Sequence, residues 1–397
     1  MQQSNKRIYL FEVDFFRIVF ILGVLANHTT TLVTHKISTH SMPYEILMAT
    51  HISLHFTRMG FMFVTGLVLF MNNYFKPMQI LKFWKKRYLG VLIPYLSWTA
   101  ILTGAENHSS LGDFLENWAH LSVYADNYYM YYILVTMQLY LIFPLIVWLF
   151  KRFLSYHHMI VIISAVVQLG MLVFIKYQLP NIDTSGWPYL LKNYGFNVFV
   201  YQFYFIMGGC AAIHYQEFVA FIRKWHIWFG VSSLVFACGT VLLYFYNVHV
   251  LNLTLNKAEE VHQPFIFIYD VVIIGYIVWL GLRYADLRKN YLPKWITNFV
   301  AIGAKISFGI YLSQTLPLAL MFVVLSSLPS GNGWVLLVML PFIYIITALM
   351  GYALSYFFYK VPPFGFLIGR PQHIRKSGQN LNLFVLKFYY SQNYFTT

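Results

Sequence analysis

The chain has 397 residues, 59% of them hydrophobic and only 10% charged, with a formal net charge of +14 and a mean hydropathy of +0.60. Soluble domains carry about 25% charged residues, so this composition excludes a soluble globular domain and indicates a polytopic membrane protein. Its two cysteines, Cys210 and Cys238, lie in apolar segments, which argues against a disulfide or a metal site.

Hydropathy predicts an all-α polytopic membrane protein of about ten transmembrane helices. In chain order they fall near 15–33, 46–71, 88–103, 131–150, 159–177, 197–213, 227–246, 264–282, 301–325 and 335–359. The first run is long, carries Arg17 and is not followed by a small-x-small cleavage pattern, so it reads as a retained span rather than a signal peptide. The segment 88–103 is short and contains Pro94, which predicts a kinked or partly buried helix. No convincing internal repeat is visible, which weakens an inverted-repeat transporter. The chain therefore reads as one integral-membrane domain over 1–397, with spans from roughly 15 to 359, a short tail over 360–397 and no appended soluble domain.

Lys and Arg set the orientation. Lys6, Arg7, Lys76, the run Lys82 to Arg87, Lys151, Arg152, Arg223, Lys224, Arg283, Arg288, Lys289, Lys294 and the tail cations fall on one side. The opposite loops hold Lys36, Lys176, Lys192 and Lys257, and most of the acids: Glu45, Glu106, Asp113, Glu116, Asp126, Asp183, Glu259 and Glu260. This bias puts both termini in the cytoplasm of a cell (plasma) membrane protein. The positive charge is thus a topology signal, and nucleic acid is not an expected partner. The outer loop 104–130 is acidic and polar, suited to covering an extracytoplasmic mouth.

Polar side chains inside the spans are the candidates for function, because ionisable groups are costly there. Arg17 and His28 are eleven positions apart in the first span, almost three helical turns. They share one stripe with Asp14 and lie roughly 16 Å apart along the axis, which points to a site reached from both faces of the bilayer. Arg17 alone could be a snorkelling anchor, and a lone helical His is often a packing residue. An imidazole near its ordinary pKa of about 6.5 is also suited to general-base work or acyl transfer. Asp270, six residues into its span, falls at a similar depth and is expected to hold the His28 imidazole as a carboxylate does in hydrolytic triads, or else to pair with Lys305 or hydroxyls. Arg58 and Lys305 map nearer the cytoplasmic half, where buried cations could receive phosphates or a thioester carbonyl, or could be neutralised structural charges. Ser307, Tyr311 and Gln314 follow i, i+4, i+7 and form one polar stripe that must face protein or a water-filled cavity. Lys82, Lys85, Lys86 and Arg87 could clamp the phosphates of a nucleotide-like cofactor, with Trp84 or Tyr88 stacking. Positive-inside anchoring on lipid headgroups explains the same cluster equally well.

Five stretches resemble the acyltransferase-3 membrane family, in order. Asp14-Phe15-Phe16-Arg17…His28 is similar to its opening signature of Arg, ten residues, His. Phe61-Met62-Phe63-Val64-Thr65-Gly66 resembles its Phe-rich stretch ending Ser-Gly. Lys86-Arg87-Tyr88…Pro94-Tyr95 resembles the basic start of its third helix, and Tyr131-Tyr132-Ile133…Leu139-Tyr140…Pro144 its fourth. Ser307-Phe308-Gly309-Ile310-Tyr311-Leu312-Ser313-Gln314 is similar to its late Ser-x-x-x-Tyr-Leu-x-His. Gln314 stands where the family often has His, so an acid–base role is absent there while hydrogen bonding can persist. Thr65 replaces Ser and keeps the hydroxyl.

The resemblance covers essentially the whole chain and is nearest to members that O-acylate exopolysaccharide, including the poly-N-acetylglucosamine adhesin type. It implies transfer of an acyl group, acetyl first and succinyl as the alternative, to a glycan hydroxyl. The implied donor is a cytoplasmic acyl-CoA such as acetyl-CoA, a substrate rather than a permanently bound cofactor. Membrane lipid, the glycan acceptor and polysaccharide synthesis or export machinery are the implied partners. Arg17, His28 and Asp270 would carry the chemistry, with His28 either deprotonating the sugar hydroxyl or carrying the acyl group transiently. Arg17, Arg58, Lys82, Lys85, Lys86 and Arg87 would hold the donor. Asp14, Thr65, Tyr132, Tyr140, Ser307, Tyr311 and Gln314 would line the substrate cavity. A glycan transporter or export component is the rival reading, since it too needs charged residues and a cavity within the spans.

Overall fold

The computed structural model describes residues 9–39, 41–106, 108–125, 129–327 and 332–370. Lys6, Arg7, Asp126 and the tail beyond Arg370 lie outside the described residues. Fifteen α-helices are present among the described residues, and no strand. They are α1 Phe11–Thr34, α2 Met42–His51, α3 Phe56–Asn73, α4 Ile80–Gly104, α5 Leu111–Tyr124, α6 Tyr131–Arg152, α7 His157–Val173 and α8 Tyr189–Lys192. These are followed by α9 Gln202–Ile213, α10 Tyr215–Phe245, α11 Leu255–Ala258, α12 Pro264–Leu287, α13 Lys294–Ser313, α14 Thr315–Ser327 and α15 Gly333–Lys360.

Each of the ten predicted segments falls on helix. Eight stretches among the described residues are long and apolar enough to cross a membrane. Segment 197–213 is a shorter apolar helix, Val198–Ile213. Segment 88–103 is the C-terminal part of a longer α4, which runs back through Lys82, Lys85, Lys86 and Arg87. Lys and Arg are good helix formers whose methylene stems pack while their charged heads reach water, so the helix need not end where the apolar run ends. Pro94 is buried inside this helix.

The predicted single helix over 301–325 is two helices, α13 ending at Ser313 and α14 starting at Thr315. Pro317 accounts for the break: it lacks an N–H, and its ring would meet the carbonyl four residues back, that of Ser313. A break also divides segment 46–71, where a 3-10 turn over Ile52–Leu54 separates α2 from α3.

Helix α1 is the hub and packs against α3, α12, α13 and α15. Helix α3 lies closest to α9, because both present glycine at the crossing. A Cβ built on Gly66 would sit 2.1 Å from the Phe205 carbonyl oxygen, and one on Gly208 would sit 2.0 Å from that of Phe63. Small residues that let backbones approach in this way are a common solution in membranes, where lipid offers no hydrophobic drive to association. After α4 the chain folds back as α5 against it, held by Tyr95 donating to the carbonyls of Leu121 (3.1 Å) and Ser122 (3.0 Å) and by Trp118 donating to Leu96 (3.1 Å).

Candidate active site

Three cavities follow one another through the bundle. The first, of about 460 Å³, lies at the basic ends of α1, α4 and α13. Arg17, Lys86, Arg87, Lys305 and Arg370 line it, together with Thr65, Tyr132, Tyr140, Ser307 and Tyr311. No carboxylate is among its described lining residues. Asp14, buried behind this wall, is within electrostatic reach of Arg17 and Lys305, yet five cations facing one concavity suit a polyanion, phosphate oxygens best.

The second cavity, of about 130 Å³, is lined by Asn27, His28, His55, Arg58, Phe61, Tyr129, Tyr131, Tyr132 and Tyr311, among others. Phe61, Tyr132 and Tyr311 are also walls of the basic cavity, so these three rings form the seam between the two. The third cavity, of about 510 Å³, shares Asn27, His28, His55, Arg58 and Tyr131 with the second. It opens among His51, Lys192, Tyr194, Lys257, Glu259, Glu260 and His262. His28 and Arg58 are therefore walls of both outer chambers.

Hydrogen bonding fixes the state of His55. The Arg58 Nη2 group donates to His55 Nδ1 at 2.8 Å, and the Asn27 side-chain amide donates to the same atom at 3.2 Å. A guanidinium has no lone pair to offer, so Nδ1 must be the acceptor and the ring proton sits on Nε2. The other arm of Arg58 donates to the Tyr131 hydroxyl. Asn27, His55, Arg58 and Tyr131 thus form one network around His28, whose ring lies 5.5 Å from that of Tyr129. Further out, His51 Nε2 meets the Thr31 hydroxyl at 3.3 Å, and His51 Nδ1 lies 3.6 Å from Glu259. In the loop leading to α12, burial pushes Glu260 up to about 7. His262 is lowered to about 3 by burial and, secondarily, by the charge of Arg58.

The sequence expectations divide against this geometry. Arg17, Lys86, Arg87, Thr65, Tyr132, Tyr140, Ser307 and Tyr311 all line the basic cavity. The hydroxyls of Thr65 and Ser307 donate to backbone carbonyls of their own helices, Phe61 (2.7 Å) and Ala304 (3.1 Å), so they shape the wall more than they offer donors to a ligand. Lys82 and Lys85 are exposed and do not line that cavity. Trp84 and Tyr88 do not line that cavity either, and both donate to α6 carbonyls, those of Tyr140 and Met137, at 2.9 Å.

Arg58 does not line the basic cavity with Arg17, Lys86 and Arg87. It lies in the first turn of α3, midway along the stretch Met42–Asn73, and faces the His28 chambers. Asp14 is buried and accepts from the Tyr9 hydroxyl at 2.7 Å instead of lining any of the three cavities. Asp270 does not line them either. Its Oδ2 accepts from Tyr204 at 2.8 Å, and its Oδ1 is buried without a hydrogen-bond partner. The expected pairing of Asp270 with His28 is replaced by this contact with α9. Gln314 sits behind the wall at the α13–α14 break, donating to the Tyr311 carbonyl at 2.9 Å.

Residues not anticipated include Asn27, His51, His55, Tyr129, Tyr131, His262 and Arg370. His51, His55 and Arg58 carried a signal, since they are spaced i, i+4, i+7. Arg370 carried none, because nothing in its local sequence returns it to the bundle. The chain does so through the helical turn Phe364–Ile368, where the Leu367 carbonyl accepts from Trp98 at 2.9 Å.

Comparison with known proteins supports the membrane acyltransferase family. The acyltransferase-3 family (acyltransferase domain) matches residues 10–360. Neither the curated proteins nor the solved structures contain a match to the chain.

Proposed function

Since the chain belongs to the acyltransferase-3 family, we propose that it transfers an acyl group, acetyl before succinyl, from a cytoplasmic acyl-CoA to hydroxyls of a cell-surface or extracellular polysaccharide, and that it works in the plasma membrane. One observation carries this reading: His28 lines both outer chambers, and the inner of these shares Phe61, Tyr132 and Tyr311 with a cavity of five cations.

The CoA phosphates are held by Arg17, Lys86, Arg87, Lys305 and Arg370. The uncharged arm of the donor passes the seam of rings and brings the thioester into the central chamber. The acceptor hydroxyl enters from the outer chamber. His28 takes its proton while the hydroxyl oxygen bonds to the thioester carbon. The negative charge that develops on the carbonyl oxygen is met by the Arg58 guanidinium, with the His55 Nε2–H as a second donor. The tetrahedral adduct collapses, the carbon–sulfur bond breaks, and the thiolate takes the proton back from His28. The products are the glycan ester and free CoA thiol. In this scheme Asn27 and Tyr131 are positioning residues for His55 and Arg58.

The test is the ester-linked acyl content of surface glycan in a deletion strain complemented at matched expression. The wild type should restore esters and His28→Ala should not. Glycan missing from the surface, with unchanged esters on the remaining material, would instead make the protein an export component.

A further inference from the structure

A second cluster lies at the basic end of the bundle, away from the three cavities, where α7 begins and α9 turns into α10. His158, His214 and Glu217 each offer one ligand atom there, and these atoms all lie within 4.8 Å of one another. We propose that the three side chains form a binding site for a borderline divalent cation, zinc foremost, which braces the α9–α10 elbow against α7.

The buried His157 supplies the argument. Its Nε2 lies 2.9 Å from the Phe150 carbonyl, which can only accept, so the proton is on Nε2. In the tautomer with its one proton there, Nδ1 is an acceptor, and it meets His214 Nε2 at 3.0 Å. The matching tautomer of His214 donates from Nε2 and carries its lone pair on Nδ1. That Nδ1 is the atom facing Glu217, 3.6 Å from Oε2. A metal-bound histidine almost always donates its other ring N–H to a fixed acceptor, which sets the tautomer and the ring orientation. Here the Phe150–His157–His214 chain performs that task with no metal needed to arrange it. His158 stacks on His214 with ring centroids 5.1 Å apart.

Two imidazoles and one carboxylate suit zinc with water in the fourth position, and they are too few oxygens for magnesium or calcium. Zinc at about 2.0–2.1 Å from nitrogen brings tetrahedral ligand atoms to about 3.3 Å from one another. Closure then requires movement of His158 and Glu217, which are exposed and free to swing, while His214 is held by His157.

The experiment uses the full-length chain in nanodiscs, stripped of metal and titrated with zinc chloride by calorimetry, with magnesium chloride as the hard-cation control. The expected result is one zinc per chain, no magnesium uptake, and a loss of zinc affinity of at least tenfold in both His158→Gln and Glu217→Gln. Both positions are exposed, so melting temperatures of the metal-free variants should equal that of the wild type. No zinc uptake by the wild type would overturn the proposal. So would less than a tenfold loss in the His158→Gln/Glu217→Gln double variant, which would place the zinc elsewhere among the 14 histidines. Neither result bears on acyl transfer.

Discussion

Substituting alanine for Gly208 adds one methyl group, and the structure says where it must go. The new Cβ would lie 2.0 Å from the Phe63 carbonyl oxygen, 2.9 Å from its carbon and 3.0 Å from Leu67 N. Real Cβ contacts essentially never fall below 3.0 Å, so α9 must retreat from α3 by at least ~1 Å, and the obstacle is backbone that cannot rotate aside. Overpacking of this kind destabilises by ~1–3 kcal/mol and occasionally more, and a backbone clash belongs at the upper end. Helix α3 carries Arg58, Phe61 and Thr65, so its displacement also disturbs the network around His28 and the seam. The assay is thermal unfolding in nanodiscs, read beside acyl transfer, with Gly170→Ala as control. Gly170 is also helical, but its added Cβ meets nothing within 4 Å, so that variant should be neutral or gain up to ~0.5–1 kcal/mol from the entropy of replacing glycine. Equal melting temperatures for the two variants would refute the close α3–α9 crossing as the reason for glycine at 208.

Three further outcomes follow from the site. Arg370→Ala removes one cation from the basic cavity and should raise the KM for acyl-CoA several-fold with little change in kcat, the difference shrinking at high salt; an unchanged KM would remove Arg370 from the donor site. Asp270→Asn should leave the pH dependence of turnover as in the wild type, because its carboxyl is engaged by Tyr204; a collapsed pH profile would restore a triad-like role. Glu260, pushed up to about 7 by burial from its ordinary 4.5, binds a proton in the folded chain that the unfolded chain releases. Its stabilising contribution is full below about pH 4.5 and is lost as the pH rises through about 7, on the order of 3 kcal/mol before the opposing pull of the Lys257 ammonium 3.5 Å away. Melting curves between pH 5 and 8 should fall with pH in the wild type and flatten in Glu260→Gln; identical slopes would refute the assignment.

The fold was largely legible because spans announce themselves by composition. Each helix buries or greases some twenty apolar residues, and the boundary errors arose where local chemistry overrode hydropathy. Basic residues extended α4 and Pro317 split α13 from α14. The site was legible only where one helix held the pattern. Arg17 and His28 share α1, so their spacing gave both the stripe and the depth. Across helices, depth was a poor guide. Asp270 was matched to His28 by depth alone, yet depth leaves rotation about the helix axis undetermined, and that rotation turns Asp270 towards Tyr204 on α9. Arg58 faces the His28 chambers and not the basic cavity, and a direction about the helix axis is again something its depth could not supply. Arg370 enters the site through chain reversal after α15, which no periodicity encodes.

The division of charge between the cavities bears on how transfer and export are to be distinguished. An exporter needs a polar route along which a hydrated chain can slide. Here the basic cavity and the His28 chambers meet at Phe61, Tyr132 and Tyr311, and the rings around this seam are tied down. The Tyr311 hydroxyl donates to the Tyr129 carbonyl, and the Tyr129 hydroxyl in turn donates to the Leu312 carbonyl at 3.1 Å. These bonds lock a loop residue to α13 and close the central chamber from one side. Moving a glycan through would mean breaking them and drawing a broad hydrated chain through the seam into a pocket of five cations, which suits an anion better than a neutral sugar. An acyl-CoA is built the other way round: its charge lies at one end, its reactive thioester at the other, and the arm between is uncharged. It can leave its phosphates on Arg17, Lys86 and Arg87 while only the narrow arm crosses the rings. The arrangement of charge and aromatic surface is therefore better matched to the proposed donor, which reaches across the seam, than to a polymer that passes through it, and on that proposal His28 is where the two substrates would meet.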